Sequence, residues 1–508
     1  MSFKKNIIPI LLAAAMLASS CSTAMNGSAA KSRKSSQTKV YPLSGISIIP
    51  QPLTMTYGTN NVVLPPVKEI QDLTLEEEEY RIEVTSESIK VTYGSKQGLI
   101  WARQTVEQII RQQTMVDGKA TVPMLSIVDK PRYGWRGFHL DVARHMFSVD
   151  FLKTVIDCLS FYKINHFQLH LTDDQGWRIE IKKYPELTKT GAWRTFCGFD
   201  ERCIARSEKD PAFAIDPDYI RNTNEYGGYY TQEQLKDLVA YALERGVEII
   251  PEIDLPGHLT SAIKCFLSMQ CNGETGWGTE FSFPICAGRD ENVEFFKNVL
   301  DEVMEIFPGQ YIHIGADEVN KDPWESCEAC QKKIKDNNLS GVEELCNFFV
   351  RQIADYVKSK GRTVLAWDDA FYAKDPQDLI YTYWRDWIPE SPSLITNSGH
   401  KMVFMEWGHF YLSGRADDEH LKELYNFTPD KDFPGIKKDN MLGYQACVWT
   451  EMIPNATILG RHMFPSLQVF SELVWSEDRS WDSFVSRLPW HLQWVQDKGV
   501  TVRDTQYR

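Results

Sequence analysis

The stretch YIHIGADEVN, residues 311–320, runs from a short apolar segment straight into two adjacent carboxylic acids, Asp317 and Glu318. A brief apolar run without polar alternation is typical of a parallel strand that is buried on both faces. Acids placed directly after such a strand lie at the carboxyl end of a parallel sheet, where α/β folds bind their ligands. The segment therefore predicts both a fold class and the position of a site.

The same pattern continues from residue 133 onward, where short apolar runs alternate with longer amphipathic segments. The candidate strands are 137–140, 166–171, 247–251, 311–314, 363–366, 379–383, 402–405 and 442–448. Predicted helices at 149–162, 231–245, 293–307 and 342–360 fall between several of them. Eight β/α steps predict an α/β fold, a (β/α)8 TIM barrel with inserted loops, over residues 132–508.

The residues that follow these strands are biased in their chemistry. They are mostly carboxylates and tryptophans with a few cations: Asp141, Arg144, Asp173, Asp174, Glu252, Asp254, His258, Asp317, Glu318, Trp367, Asp368, Trp384, Arg385, Glu406, Trp449 and Glu451. A sugar ring packs its C–H face on an indole and directs its hydroxyls to charged groups. The bias indicates glycoside hydrolysis.

The adjacency of Asp317 and Glu318 constrains the mechanism. Most glycosidases place two carboxyl groups on opposite sides of the scissile bond, about 5–5.5 Å or about 6.5–9.5 Å apart. Neighbours in sequence are badly placed to straddle a sugar ring in this way. If Glu318 protonates the leaving oxygen, a 2-acetamido group of the substrate can serve as nucleophile while Asp317 orients its N–H and stabilises the developing positive charge.

Five segments resemble the family 20 glycoside hydrolases, the β-N-acetylhexosaminidases, and they occur in the family's order. They are WRGFHLDVARHMF (135–147), FQLHLTDDQGWR (167–178), EIIPEIDLPGH (248–258), YIHIGADEV (311–319) and YQACVWTE (444–451). The resemblance covers essentially everything after Ile46, since the IIPQP opening and the QTVEQII helix are similar to the family's small N-terminal domain. It implies exo-acting, retaining, substrate-assisted removal of terminal N-acetylhexosamine through an oxazolinium intermediate.

The resemblance also implies roles for individual residues. Glu318 would be the general acid/base and Asp317 would orient the acetamido group. The other implied contacts are these: Arg136 to the sugar 3- and 4-hydroxyls; Asp173 and His258 as a relay to Glu318; Trp367, Trp384 and Trp449 as the pocket wall; Glu451 to hydroxyls near O4 or O6; and Tyr411 to the acetamido carbonyl.

Two departures from the family pattern stand out. The family usually reads HxGGDE, whereas this chain has Ala316 at the second glycine, which we expect to be tolerated. Its Tyr-Leu-Asp segment is here Tyr411-Leu412-Ser413, so the acid that binds the 4-hydroxyl is missing unless Glu406 or another loop residue replaces it. Without this acid the pocket is less negative, and His409 and Arg385 lie nearby in sequence, so a 6-sulfated N-acetylglucosamine is a further candidate substrate. The alternative is that Ser413 only marks a shifted alignment with the family.

Two other functions remain open at the level of sequence. A metal-dependent TIM-barrel hydrolase could use His258, His313, Asp254 and Asp317 as ligands, although the spacing is not of a metal-binding type. A catalytically inactive glycan-binding lipoprotein would be expected to have lost the acid pair, which is present. We expect no cofactor and no catalytic metal.

The N-terminus resembles a bacterial lipoprotein signal. Lys4 and Lys5 precede the apolar run 7–17, and Leu17-Ala18-Ser19-Ser20-Cys21 follows, so the signal spans 1–21 with lipidation at Cys21. Residues 22–44 have the Ser-, Ala- and Lys-rich composition of a flexible linker, and 45–131 predict a small α+β domain. We expect a cell-envelope, outer-membrane-anchored lipoprotein of undetermined membrane face and oligomeric state.

The charge of the chain limits the classes of binding partner. A net charge of −14 with no basic cluster excludes nucleic acid as a natural partner, which leaves a glycan as the expected one.

Close pairs of cysteines such as Cys197 with Cys203, or Cys265 with Cys271, could be bridged in an exported chain. Cys327-Glu-Ala-Cys330 is an isolated CxxC for which Cys346 does not complete a set of zinc ligands, so a local disulfide or thiols at a helix start are expected.

Overall fold

The computed structural model of the protein describes residues 45–271, 284–374, 376–415 and 417–507. The predicted signal 1–21 with Cys21 and the linker 22–44 lie outside these ranges. Within them, no helix combines the length and the apolar character needed to cross a membrane.

The residues before the barrel form an α+β layer, as predicted. It contains β1 (Thr54–Val63), β2 (Val67–Gln71), β3 (Tyr80–Val84), β4 (Ile89–Tyr93), α1 (Lys96–Arg111), β5 (Thr114–Val116) and β6 (Lys119–Asp129). The strands pair in the order β1-β6-β3-β4-β2, with β5 on β6. Helix α1 begins after Ser95, whose hydroxyl accepts the Gln97 N–H at 3.0 Å and so satisfies a free donor of the first turn.

The remainder of the chain forms a closed barrel of eight parallel strands, which confirms the predicted TIM barrel. The strands are β7 (Trp135–Asp141), β8 (His166–His170), β9 (Glu248–Glu252), β10 (Tyr311–His313), β11 (Thr363–Trp367), β12 (Ile380–Tyr383), β13 (Met402–Phe404) and β14 (Met441–Val448). The last of them pairs with the first, Gly443 opposite Trp135. All eight predicted strands are present, each within two residues of its predicted ends.

Helices cover the outside of the barrel. The main ones are α2 (Val149–Phe161), α3 (Gly198–Ser207), α4 (Gln232–Glu244), α5 (Asp290–Ile306), α6 (Glu328–Asp336), α7 (Val342–Ser359), α8 (Ser391–Asn397), α9 (Asp418–Asn426), α10 (Ala456–Met463), α11 (Ser466–Trp475) and α12 (Trp481–Asp497). Four one-turn helices lie in loops, at Thr260–Ile263, Asp322–Glu325, Trp407–Phe410 and Pro429–Asp432. Short strands in the loops after β8 are Thr172–Asp173, Gly176–Trp177, Trp193–Thr195, Ile220–Arg221 and Glu225–Gly227.

The N-terminal sheet and the barrel have separate hydrophobic cores but belong to one compact unit, Ile46–Arg508. A buried carboxylate joins the two layers. Asp129, at the end of β6, accepts from Lys163 Nζ at 3.0 Å and from Trp475 Nε1 at 2.9 Å, and it also accepts from the Tyr80 hydroxyl. Asp129 and Lys163 are fully buried, so each charge depends on the other.

We expect Asp129→Ala to lower the free energy of unfolding by about 3–5 kcal/mol, because it leaves the buried Lys163 ammonium without a counter-charge. Denaturant unfolding followed by circular dichroism measures the loss. Glu76→Gln is the control, since it breaks the exposed Lys130–Glu76 pair nearby and should leave the midpoint unchanged. Equal midpoints for wild type and Asp129→Ala would contradict this role.

Candidate active site

The carboxyl ends of the barrel strands bring the predicted acids and aromatic residues to one end of the barrel. His258, in the loop after β9, contacts both acids that follow β10: its Nε2 lies 3.3 Å from Glu318 Oε2 and 3.6 Å from Asp317 Oδ2. Its Nδ1 lies 3.5 Å from Asp173 Oδ1, after β8. The predicted grouping of these four residues is therefore present in the structure.

The turn that carries the two acids is a run of left-handed backbone. Gly315 has φ +68°, Ala316 φ +73° and Glu318 φ +51°. A Cβ at Gly315 would lie 1.9 Å from Asp254 Oδ1, so only glycine fits there. The same carboxylate accepts the Ala316 N–H at 3.2 Å and holds the turn in place. Ala316 occupies the tight position where the family has glycine and is 3% exposed.

His258 is held between two pairs of carboxylates. Below it, Asp174 Oδ2 lies 3.3 Å from Nδ1 in addition to Asp173. Burial by itself would lower the pKa of His258, but Asp173, Asp174 and Glu318 together raise it well above its ordinary value. The surrounding carboxylates thus favour the protonated imidazole, whose positive charge lies directly beside Asp317 and Glu318.

Asp317 and Glu318 occupy different environments although they are neighbours. Asp317 is 8% exposed, and its Oδ1 is buried without a hydrogen-bond partner among the described residues. Burial raises the pKa of Asp317 to about 7, with Asp369 adding to the rise and His258 opposing it. The Glu318 side chain is 42% exposed and faces the opening. One acid lies deep in the site and the other lies at its mouth.

Aromatic rings line the site beside the acids. Trp449 lies between Trp367 and Tyr411, with centroid distances of 5.8 Å and 6.2 Å. Trp384 stacks on Tyr411 at 6.2 Å, and its Nε1 donates to Asp369 at 2.7 Å. Trp367 is 1% exposed and donates to Glu252 at 2.8 Å, so it lies at the base of the aromatic group. The predicted aromatic residues therefore form one contiguous surface.

Arg144 lies at this end of the barrel but Arg136 does not, so the prediction for Arg136 is wrong. Arg136 is near the start of β7, at the opposite end of the barrel, and is fully buried. Its Nη2 donates to Glu78 at 2.6 Å and its Nε donates to the Lys163 carbonyl at 2.8 Å. It joins the N-terminal layer to the barrel and cannot reach a ligand at the carboxyl ends of the strands.

Arg144 follows the end of β7 and connects several parts of the site. Its guanidinium lies 3.2 Å from Asp141, 2.8 Å from Asp173 and 3.8 Å from Glu451, and 5.1 Å over the Trp449 ring. Although burial would raise it, the Arg144 charge and His258 hold the pKa of Asp173 well below its ordinary value. The contact of Arg144 with Asp141 is thus part of a larger network. In the sequence Arg144 lies just beyond the predicted strand 137–140, and this position indicates that it belongs to the site.

The segment that departs from the family lies next to the aromatic surface. Ser413 Oγ accepts the Trp449 N–H at 3.2 Å, so Ser413 stands at the strand ends. Glu406 does not replace the missing acid: it caps the one-turn helix Trp407–Phe410, accepts from Gly408 N and His409 N, and is 1% exposed.

Part of the alternative metal-ligand set also comes together. Ligand atoms of Asp254, His258 and Asp317 lie within 4.8 Å of one another. His313 does not join them, since its Nε2 lies 3.0 Å from the Thr382 hydroxyl and its Nδ1 lies 3.4 Å from Glu252. The residues that come together are therefore three of the four in the proposed ligand set.

Two family models match most of the chain. The model of the glycosyl hydrolase family 20 catalytic domain matches residues 133–478, and the model of the family's domain 2 matches residues 66–130. The chain belongs to glycosyl hydrolase family 20.

Similar proteins are found in several bacteria. A β-hexosaminidase of Porphyromonas gingivalis is 33% identical over 80% of this chain, and one of Akkermansia muciniphila is 28% identical over 88% of this chain and 90% of its own length. The chain spans 51% of the P. gingivalis protein and 64% of a Vibrio furnissii β-hexosaminidase.

Solved family 20 structures share the fold. The exo β-N-acetylglucosaminidase of Vibrio harveyi in complex with N-acetylglucosamine is 28% identical, with a TM-score of 0.79 over 94% of this chain and 81% of that chain. The β-N-acetylhexosaminidase of Bacteroides fragilis is 26% identical, with a TM-score of 0.76 over 91% and 98%.

The pKa of Asp317 can be shifted in a predictable direction. Asp369→Asn removes a negative charge that raises this pKa while keeping an oxygen to accept the Glu318 N–H, which it now accepts at 3.2 Å. We expect the midpoint for ionisation of Asp317 to move from about 7 to lower pH.

Infrared difference spectroscopy follows this titration, with the Asp317→Asn variant identifying the carboxyl band. Asp322→Asn, which changes an exposed carboxylate, serves as the control and should leave the midpoint where it is in the wild type. A midpoint that stays in place or rises in Asp369→Asn would contradict the assignment.

Proposed function

We propose that the protein is an exo-acting, retaining β-N-acetylhexosaminidase that releases terminal N-acetylglucosamine or N-acetylgalactosamine by substrate-assisted catalysis. The observation that carries the proposal is Asp317 Oδ1, which is buried beside Glu318 in an aromatic pocket and has no hydrogen-bond partner among the described residues. An acceptor in that position suits an amide N–H, which a 2-acetamido sugar provides and a plain hexose does not. The names of the family 20 relatives and the N-acetylglucosamine complex of the Vibrio harveyi enzyme support the same substrate class.

In the first step the acetamido carbonyl oxygen attacks C1 from below the ring. The bond between C1 and the leaving oxygen breaks, and Glu318 donates its proton to that oxygen. The resulting oxazolinium ion carries a positive charge over its ring nitrogen, and Asp317 accepts the N–H and stabilises this charge. Only the ionised form of Asp317 can stabilise this charge, so catalysis depends on the ionisation of Asp317.

In the second step water attacks C1 from the face that the aglycone has left. Glu318, now ionised, accepts a proton from this water, and the oxazolinium ring opens to regenerate the acetamido group. Two inversions at C1 give overall retention. Glu318 suits both proton transfers because it faces the opening, where the aglycone leaves and water enters.

The remaining contacts of the sugar are assigned by position. We place Arg144 and Glu451 at the hydroxyls of the terminal sugar, in the role that the sequence gave to Arg136, because both lie at the carboxyl ends of the strands. Tyr411 lies next to Trp384 and Trp449 and would donate its O–H to the acetamido carbonyl. The three tryptophans would enclose the acetamido methyl group.

The plain sugar is better supported than a 6-sulfated one. The two cations that favoured a sulfate are both paired with carboxylates: Arg385 Nε lies 3.0 Å from Asp368, and His409 Nδ1 bonds to Glu406. Their charges are therefore already compensated. Ser413 nevertheless leaves the pocket without the family's carboxylate at the 4-hydroxyl, so both epimers at C4 remain within the proposal.

The two alternative functions have less support. A metal-dependent hydrolase would need His313 to join Asp254, His258 and Asp317, and it does not. An inactive glycan-binding protein would not need a proton donor at the mouth of the pocket, whereas Glu318 is present and held there. For localisation we propose a lipid anchor at Cys21 in the cell envelope, on the sequence pattern described above.

We expect Glu318→Gln to lower kcat by about 10²–10⁴-fold for substrates with poor leaving groups, such as a terminal sugar linked to another sugar, because the leaving oxygen loses its proton donor. Aryl glycosides of acidic phenols need less protonation and should lose much less. Product-release assays on both substrate types measure the difference, and isothermal titration with N-acetylglucosamine checks that binding is kept. Glu325→Gln, an exposed acid on the same loop, is the control. Equal losses on both substrates would contradict the assignment.

A further inference from the structure

Four cysteines from two separate loops converge outside the active site. Cys271 and Cys286 lie between β9 and α5, and Cys327 and Cys330 lie at the start of α6. The Sγ of Cys286 is 3.6 Å from that of Cys327 and 3.5 Å from that of Cys330, which is in turn 3.8 Å from that of Cys271. All four sulfurs lie within 4.8 Å of one another. The isolated CxxC of the sequence is thus half of a four-thiol group.

These distances match the edges of one coordination tetrahedron. Zinc–sulfur bonds of about 2.3 Å in tetrahedral geometry place the ligand sulfurs about 3.8 Å apart. A disulfide requires about 2.05 Å, and all ten cysteines in the described part of the chain are free thiols. The local bridges that the sequence allowed, Cys197 with Cys203 and Cys265 with Cys271, are not formed either.

The surrounding backbone is shaped to hold the four sulfurs together. A Cβ at Gly288 would lie 2.3 Å from the Ala329 carbonyl carbon and 2.4 Å from Cys330 N, so the two loops touch at a position that admits only glycine. Asn292 Nδ2 donates to the Cys286 carbonyl at 2.9 Å and to the Met269 carbonyl at 3.0 Å. Three of the four cysteines are buried, and Cys271 is half-buried.

We propose that Cys271, Cys286, Cys327 and Cys330 form a structural site for one zinc ion. Four Zn–S bonds form, the thiols release up to four protons, and no electron is transferred. With four protein ligands the ion has no open position for water or substrate, so the site is structural and not catalytic.

The four-cysteine site connects two loops that carry residues of the active-site pocket. The Cys271–Cys286 pair belongs to the loop that carries His258, and the Cys327–Cys330 pair belongs to the loop that carries Asp317 and Glu318. Ile285, next to Cys286, donates its N–H to the Pro256 carbonyl at 3.0 Å and accepts from Trp324 Nε1 at 3.0 Å. Zinc would therefore fasten together the two loops whose contact sets the distance between His258 and the acid pair.

Elemental analysis of the purified full-length protein tests the site directly. We expect one zinc per chain, and after exchange with Co²⁺ an intense sulfur-to-cobalt charge-transfer band together with the visible bands of tetrahedral cobalt. Native mass spectrometry distinguishes the competing states of the four thiols. A metal-free chain that is four hydrogens lighter, which indicates two disulfides, would overturn the proposal, as would one equivalent of iron instead of zinc.

Variants locate the ion. Cys271→Ser and Cys286→Ser should each reduce bound zinc from one equivalent to a small fraction after dialysis against a weak chelator, and should lower the thermal midpoint. Cys271 is half-buried, so its variant is the less disruptive of the two, and Cys346→Ser, another half-buried cysteine outside the group, is the matched control and should keep its zinc. Full zinc content in the Cys271→Ser, Cys286→Ser double variant would contradict the site.

Discussion

The buried imidazolium of His258 is the interaction on which the arrangement of the site depends. The carboxyl ends of the strands gather Asp173 and Asp174 below the ring and Asp317 and Glu318 above it. Burying so many carboxylates in one place is unfavourable unless cations compensate them. His258 compensates two of the strand ends at once, and Arg144 compensates Asp141, Asp173 and Glu451 on the other side of the pocket.

The division of labour between the two adjacent acids follows from that arrangement. The left-handed turn at residues 315–318 sends Asp317 inward and Glu318 outward, so that neighbours in sequence differ sharply in exposure. The inner acid has a buried oxygen that awaits a donor, and the outer acid has access to a leaving group and to water. Because the two acids are neighbours in sequence and not on opposite sides of a cleft, we propose that the substrate supplies the nucleophile.

Much of this could be read from the sequence, because the relevant signals are local. Buried parallel strands appear as short apolar runs, and the residues that follow them identify the site without any knowledge of the loops. The prediction for Arg136 was wrong because Arg136 and Arg144 lie near the two ends of the same strand. One strand length separates the amino end of the barrel from the carboxyl end, where the site is. The capping role of Glu406 depends on a one-turn helix too short to be predicted from periodicity.

Contacts between residues that are far apart in sequence could not be predicted from the sequence. Cys286 and Cys327 meet only because consecutive barrel loops lie side by side, and nothing in a CxxC motif identifies its distant partners. The compensation of Arg385 by Asp368 and of His409 by Glu406 is likewise a matter of side-chain contacts.

The central claim is that the acetamido group of the substrate is the nucleophile and that Asp317 directs it. A series of aryl glycosides whose 2-acyl group carries none, one, two or three fluorines tests this most directly, since fluorine withdraws electrons from the carbonyl oxygen and leaves the aglycone unchanged. The account predicts that kcat/KM falls steeply at each added fluorine. A value of kcat/KM that stays constant across the series would show that the acyl oxygen takes no part in the attack on C1, and it would contradict the account.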